Sequence, residues 1–416
     1  MAQIKFSVNL SSAAFVLSHT WKGQSVVIPG NDQNTMPARP LNGDTPQQGF
    51  NIPQLYYCEN VIPTAEGYRS FVYQYMIKPV DEPGLYFVKT LYCFDGDSNK
   101  AILGITSDRR LWLASPGTLG DWVELEFPVG YTWNNNTDNV TVASVVGYVG
   151  VLIEGIGLFS LDIPNLILGK ETTVGVDDTL MKGITSAAGI LVLYDDNTIY
   201  WSSTLNPLDF VPSLITGAGS SKPEALKGRI QLCKEIQGGF VIYSDTVMIG
   251  AEYTGNRSHP WTYRTLVGGA GIRHADAVGF DVNLTTHFAW TSSGIVEVTL
   301  KQAAVRFPEI TDYVASGLED VTTSFDGYPI SSFVKYVREV RISYVASRYL
   351  CISVGLLVGA YNTEAIPQPY MTHAFLYDTQ YQRWGKLNCA HTQINEFPFA
   401  EGASDPPPPP EIEVFF

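Results

Sequence analysis

Charge is scarce in this sequence. Only 16% of its 416 residues are Asp, Glu, Lys or Arg, against about 25% in an average soluble protein. The charges present are unbalanced: 26 Lys and Arg face 41 Asp and Glu, for a net charge of −15. There is no basic run. Sequence-independent grip on nucleic acid needs Lys and Arg against phosphates, so the chain is not built to hold DNA tightly. A wall past which DNA slides is compatible with this balance, because like charges repel. Cysteine is sparse and odd in number: Cys58, Cys93, Cys233, Cys351 and Cys389, widely spread and without C-x-x-C. That spacing argues against a disulfide framework or a zinc site. Reduced, mostly buried cysteines are expected.

Other absences narrow the chemistry. The histidines are His19, His259, His274, His287, His373 and His391, and none stands in H-x-H or H-E-x-x-H spacing. No metal site is expected. There is no P-loop and no G-x-S-x-G, so no cofactor and no catalytic residue is assigned. No stretch approaches the ~18 uninterrupted apolar residues of a membrane span. Met1–Phe6 leads into no long apolar core of a signal peptide, so no export signal is expected. The N-x-S/T triplets at Asn9, Asn135, Asn139, Asn256 and Asn283 are read as chance occurrences in an Asn- and Thr-rich chain.

What the chain has is β-strand material. Hydrophobic residues reach 45%, with 23 Tyr, 20 Phe, 37 Gly and 25 Pro. That mixture suits many aromatic strands joined by many turns. Three regions differ in texture. Residues 1–95 read as an irregular N-terminal arm that includes the polar loop Pro29–Gly49, with strands near Phe71–Tyr75 and Leu85–Val88 able to complete the last blade or to form another. Residues 96–395 read as strand after strand. Residues 396–416 hold the run Pro406–Pro410, an extended tail that no helix or central strand accepts.

The middle region repeats. Leu111-Trp-Leu-Ala-Ser115 is followed by Asp121-Trp122, and Ile199-Tyr-Trp-Ser-Ser203 by Asp209-Phe210; the second begins 88 residues after the first. Two units of about 44 residues give that offset, and repeats of roughly 40–50 residues with four strands each are the mark of propellers. Six pairs of apolar strands joined by turns can be read: Ala101–Ser115, Val149–Leu161, Gly189–Ser202, Gly239–Ala251, His287–Thr299, and Arg348–Gly355 with His373–Asp378. In five of them a tight polar turn does the joining, at Ser107–Arg110, Glu154–Gly157, Asp195–Thr198, Ser244–Thr246 and Ser292–Gly294. In the sixth an insertion around Tyr361–Met371 separates the strands. Asp, Asn, Ser and Gly suit hairpin turns. Strands such as Ile190–Leu193 and Phe240–Tyr243 are apolar throughout, as strands covered on both faces are. The expected fold is therefore all-β, a β-propeller of about six four-stranded blades. A two-sheet sandwich is the competing fold, but it does not require the matched segments to recur.

Several segments invite a chemical reading. The adjacent carboxylates Asp177-Asp178, Asp195-Asp196 and Glu319-Asp320 could flank a sugar, as in propeller glycosidases, yet Asp195 and Asp196 fall in a hairpin turn that favours Asp. Asp121 and Asp209 recur at one blade offset, which argues for backbone bonding beyond the strand. Trp112, Trp122, Trp201 with Tyr200, and Trp384 could stack on sugars, but their recurrence favours packing between blades. Arg109, Arg110 and Arg383 are candidates for cation–π contacts with them. His287 and His373 open apolar strands and are expected as hydrogen-bonded core or hairpin histidines. Gly268-Gly-Ala-Gly271 is expected as a loop between blades that uses positive φ.

Asn60-Val-Ile-Pro-Thr-Ala-Glu-Gly-Tyr-Arg-Ser-Phe71 is similar to an early segment of the packaged-DNA-stabilising proteins, the propeller-shaped tail nozzle or hub proteins of short-tailed bacteriophages. Ile199–Phe210, Phe240–Val247, Gly268–Ile272, and Ala374–Asp378 followed by Trp384 resemble later segments in the same order. The resemblance implies a structural virion protein of the phage tail rather than an enzyme. It implies a homo-hexameric ring below the portal and its adaptor proteins, which extends the DNA channel, helps retain the packaged genome and anchors tail fibres or a tail needle. The long N-terminal segment would then reach neighbouring subunits. The alternative is a carbohydrate-binding or depolymerising propeller at the tail tip.

Overall fold

The computed structural model describes residues 87–95, 100–115, 122–134, 137, 139–145, 147–280, 283–307, 337–345, 348–356, 371–380, 383–391 and 393–396, with short strands at 14–15, 29–30, 54–55, 61–64, 67–70, 324–325, 328–329 and 412–415. They form an all-β protein, a β-propeller of six four-stranded antiparallel blades. Blade 1 consists of Phe87–Phe94, Lys100–Thr106, Leu111–Ala114 and Val123–Leu125. Blade 2 is Val140–Val145, Tyr148–Ile153, Gly157–Asp162 and Ile167–Lys170. Blade 3 is Gly183–Ala187, Ile190–Tyr194, Ile199–Trp201 and Gly219–Ser221. Blade 4 is Ile230–Ile236, Gly239–Ser244, Val247–Tyr253 and Trp261–Gly268. Blade 5 is Val278–Phe280, His287–Thr291, Gly294–Val298 and Ala303–Arg306. Blade 6 is Val337–Val345, Tyr349–Leu356, Met371–Asp378 and Arg383–His391.

The six hairpins read from sequence are the second and third strands of the six blades. Third strands open at Leu111, Gly157, Ile199, Val247, Gly294 and Met371. The 88-residue offset therefore spans two blades, from the third strand of blade 1 to that of blade 3. The tight turns fall where expected; in the first of them Arg109 adopts φ 66°.

Alternation along these strands builds the cores between blades. In blade 4, Phe240 and Ile242 pack with Val192, Tyr194 and Trp201 of blade 3. Their neighbours Val241 and Tyr243 turn the other way, onto Val278, Ala289 and Val296 of blade 5. Blade 2 does the same: Val151 and Phe159 join Leu103 and Leu113 of blade 1, whereas Leu152 and Leu158 join Leu191 and Leu193 of blade 3. Each side chain fully buried in this way contributes roughly 1.5–3 kcal/mol. Both faces of a middle strand are therefore apolar, which is why these strands carry no polar alternation.

The chain separates into two units. One comprises Met1–Gln74, Phe307–Val340 and Arg348–Ala390; the other comprises Tyr75–Arg306, Arg341–Ser347 and His391–Phe416. The second holds blades 1 to 5 and the Arg341–Val345 part of the first strand of blade 6. The first holds the last three strands of blade 6 and several short ladders, among them the hairpin Val61–Thr64 with Gly67–Ser70 inside the Asn60–Phe71 segment.

Three details refine the sequence reading. The strand read near Leu85–Val88, within the arm of residues 1–95 and open to completing the last blade or forming another, overlaps Phe87–Phe94, which opens blade 1 against Lys100–Thr106. Among the described residues, every blade is made of four consecutive strands. Within residues 396–416, expected as an extended tail, Ile412–Phe415 pairs antiparallel with Gln393–Glu396. Residues 71–75, most of Pro29–Gly49, residues 361–370 and the proline run lie outside the described residues.

Candidate functional site

The residues singled out for chemistry are, where described, structural. Asp195 closes the hairpin turn of blade 3, its Oδ1 accepting from the Asn197 and Thr198 amides at 2.8 and 2.7 Å. Asp196 pairs with Lys182 at 3.2 Å. Asp177 caps a 3-10 turn by accepting from the Thr179 amide. Asp178 is buried and accepts from the Leu158 amide and the Lys170 ammonium, both at 2.5 Å. Asp209 accepts from the Val211 amide at 3.0 Å, the backbone role expected of it. Asp121, Glu319 and Asp320 lie outside the described residues.

The tryptophans pack rather than face solvent. Trp112, Trp201 and Trp384 are buried. Trp122 lies 4.4 Å from the Phe87 ring, and Trp384 lies 4.7 Å from Tyr377. A sugar platform needs an open ring face, which these three buried side chains do not offer. Arg110 sits over Trp112 at 5.4 Å, one of the cation–π contacts the sequence offered. In the loop between blades 4 and 5, Gly269 has φ 79°, and a Cβ at Gly271 would run into the backbone of Asp245. Of the cysteines, Cys93, Cys233 and Cys351 are buried and unpaired, and burial pushes the Cys93 thiol up to about 12. Among the described residues no cluster of His, Cys, Asp or Glu is arranged to hold a metal ion, and no helix is long and apolar enough to cross a membrane.

The candidate site was not legible as a motif. It is a cavity of about 610 Å³ in the second unit, lined by the first strands of all six blades. That volume is within the ~300–1,000 Å³ of small-molecule sites. Its ionisable lining is Lys89, Lys100, Lys234, Glu235, Asp276 and Arg341. Four cations against two carboxylates make the cavity basic inside an acidic chain.

Each group is placed by its blade. Lys89, on blade 1, donates to Asp276 Oδ1 at 3.1 Å, and Arg341 Nε, on blade 6, lies 3.8 Å from Oδ2. Arg341 also donates to the Val88 carbonyl of blade 1 at 2.8 Å. Asp276 stands in the short 3-10 turn that leads into blade 5. Burial works to raise its pKa, but Lys89, Arg341 and His274 outweigh it and hold the carboxyl well below its ordinary value. Gln393 reaches the same wall and accepts from the Thr90 amide at 2.9 Å.

On the blade 4 strand, Lys234 and Glu235 interrupt an otherwise largely apolar sequence. Burial lowers Lys234 to about 8, and its ammonium lies 3.9 Å from the Phe280 ring centroid. Burial raises Glu235, which accepts from Ser186 Oγ at 2.5 Å. Behind them His287 is fully buried, with Nε2 at 2.8 Å from the Glu235 carbonyl and Nδ1 at 2.8 Å from the Tyr243 hydroxyl. A carbonyl only accepts, so Nε2 carries the proton and Nδ1 accepts from Tyr243. This is the satisfied core histidine expected from sequence, and it ties the backbone beside Lys234 to blade 5.

No family model matches the sequence, and no curated protein matches it. Among solved structures, the chain is similar to the WD40 repeats of RRP9, at 10% identity and a TM-score of 0.44, covering 76% of this chain and 85% of that one. It is also similar to YCF48 bound to D1 peptide, at 8% identity and a TM-score of 0.38, covering 74% and 86%.

Proposed function

We propose that this propeller is a structural protein of a virus particle, a subunit of the tail nozzle ring of a short-tailed bacteriophage that turns over no substrate. The observation that carries this reading is the ordered series of segments resembling the packaged-DNA-stabilising proteins. Ile199–Phe210 covers the third strand of blade 3 and the loop beyond it. Phe240–Val247 covers the buried second strand of blade 4 and the turn into its third strand, and Ala374–Asp378 falls in the third strand of blade 6. In this reading the subunit assembles in six copies below the adaptor proteins, extends the DNA channel, helps retain the genome and carries fibres or a needle. The net charge of −15 suits a wall that DNA passes without sticking.

An assembling subunit must present an apolar surface, and one supports this reading. The loop before the last strand of blade 3 and the connection between blades 2 and 3 are laced together: Val174 donates to the Leu208 carbonyl at 2.9 Å, and Phe210 donates back to the Val174 carbonyl at 2.8 Å. They expose Val174, Leu205, Val211, Leu214 and Ile215, the last two by 77% and 78%. Apolar side chains grouped on a surface mark interaction sites, and this pair of loops is the proposed contact with a second copy.

Immunogold electron microscopy with an antibody to this chain, on purified tailed particles, tests the location. Gold at the tail end opposite the head is expected; no label on intact or mildly disrupted particles overturns the proposal. For the contact, Leu214→Asp combined with Ile215→Asp is expected to abolish sixfold rings in negative stain while the thermal midpoint stays at the wild-type value. Rings that persist in this variant remove the loops from the interface.

A further inference from the structure

Lys234 stands out among the groups of the cavity. Lys89 and Arg341 are both committed to Asp276, and Glu235 is engaged by Ser186. Among the described residues, the Lys234 ammonium lies against the face of Phe280, and no carboxylate or carbonyl accepts from it. An ammonium carries three donors, and burying a cation without an acceptor is costly. The groups around it do not supply one. Glu235, beside it on the same strand, attracts it but accepts no hydrogen bond from it; Lys89, of blade 1, repels it; Cys93, of the same strand as Lys89, is a neutral thiol; His287, of blade 5, is held uncharged by burial. The space beside it is a cavity of about 610 Å³ whose wall includes Leu91, Val142, Leu232 and Phe280.

We propose that this cavity binds a small organic monocarboxylate, the Lys234 ammonium donating to its carboxylate and the apolar wall receiving its hydrocarbon body. The choice of a monoanion follows from the charges. Apart from the exposed Lys100, the lining sets three cations, Lys89, Lys234 and Arg341, against two carboxylates, Glu235 and Asp276, so one positive charge is left over; a monoanion neutralises it and a phosphate dianion would bring a charge that it does not. The apolar surfaces beside Lys234 give an organic body something to cover, which an inorganic ion would leave exposed. The inference concerns the propeller subunit itself and does not depend on ring assembly or on a place in a virion.

Isothermal titration of the full chain with sodium benzoate tests it, with benzyl alcohol as the neutral isostere and inorganic phosphate as the rival anion. Benzoate is expected to bind and benzyl alcohol to bind more weakly. Lys234→Gln is expected to weaken benzoate by about tenfold or more, the worth of one charge-assisted hydrogen bond, and to leave benzyl alcohol unchanged. Benzoate affinity for the wild type is expected to fall as pH rises through about 8, where Lys234 loses its proton. Lys234→Arg keeps the cation and is expected to keep binding above that pH, which decides the matter even if Lys234→Gln does not fold. Absence of benzoate binding to the wild type, equal binding by Lys234→Gln, a flat pH profile, or tighter binding of phosphate than of benzoate each overturns the proposal.

Discussion

Replacing Arg348 by methionine is expected to remove about 3–5 kcal/mol of stability, the cost of leaving the buried charge of Asp378 without its partner. Asp378 is fully buried at the end of the third strand of blade 6. Arg348 grips it with two nitrogens, Nε at 3.1 Å and a terminal nitrogen at 2.5 Å, and the Gln380 amide donates to it at 3.0 Å. The consequence reaches beyond one pair. In the other blades a tight turn sets the register of the second and third strands, but here the strands Tyr349–Leu356 and Met371–Asp378 are joined by residues 357–370. The pair lies at the opposite end of the ladder, where Tyr349 faces Asp378. With a long connection, register must come from such side-chain pairing and from burial. Urea unfolding of Asp378→Ala, Arg348→Met and the double variant measures the effect. The double variant is expected to be more stable than the sum of the single losses predicts, since it leaves no orphan charge. A loss below about 1 kcal/mol in Arg348→Met would mean that the pair behaves like an exposed one.

Stability is expected to fall steeply as pH drops below about 6.5, and His287 is the expected cause. Burial lowers His287 from 6.5 to about 3, helped by Lys234 and opposed by the bond to the Glu235 carbonyl. Between these two values the unfolded chain binds a proton that the folded chain refuses. Stability therefore rises with pH across that window and is lost as pH falls through it, at up to about 1.4 kcal/mol per pH unit for a single group. Glu235 has the opposite sign: its carboxyl is raised, so protonation on acidification relieves part of its burial cost. Asp276, held below its ordinary value, adds its own loss only at lower pH. Comparison of chemical unfolding for the wild type and His287→Gln at several pH values isolates the histidine. The variant is expected to be less stable at neutral pH, because Tyr243 and the Glu235 carbonyl lose a shared partner, and to show a shallower slope below 6.5. Equal slopes would exclude His287 as the acid-sensitive group.

The two predictions rest on residues of different legibility. His287 announced itself as a histidine at the head of an apolar strand, and the structure gives it two hydrogen bonds in a fully buried position. Asp378 did not, because its role depends on Arg348, which lies 30 residues away along the chain. The same contrast runs through the fold. Ile190–Tyr194 and Gly239–Ser244 are buried at every position, so their strand character and the turns after them could be read directly. Phe87–Phe94 and Ile230–Ile236 are buried only in part. Their Lys89, Thr90, Lys234 and Glu235 face a cavity that exists only once six blades stand around it, and such strands carry no simple alternation. Outer strands are harder still: Ala303–Arg306 is almost wholly exposed.

By itself the sequence determined the all-β class, the repeat of about 44 residues, the six hairpins at the middle of the blades and the local jobs of Asp195, Asp209 and His287. These follow from short-range chemistry: turn residues bond their own backbone, and strands covered on both faces must be apolar. Tertiary structure alone decided that Phe87–Phe94 opens the first blade, that Lys89 and Arg341 share Asp276, and that Lys234 lies against Phe280 beside an open cavity. Those groups come from blades 1, 4, 5 and 6 of the chain. Their charges acquire meaning only from distance and burial, which sequence order does not encode.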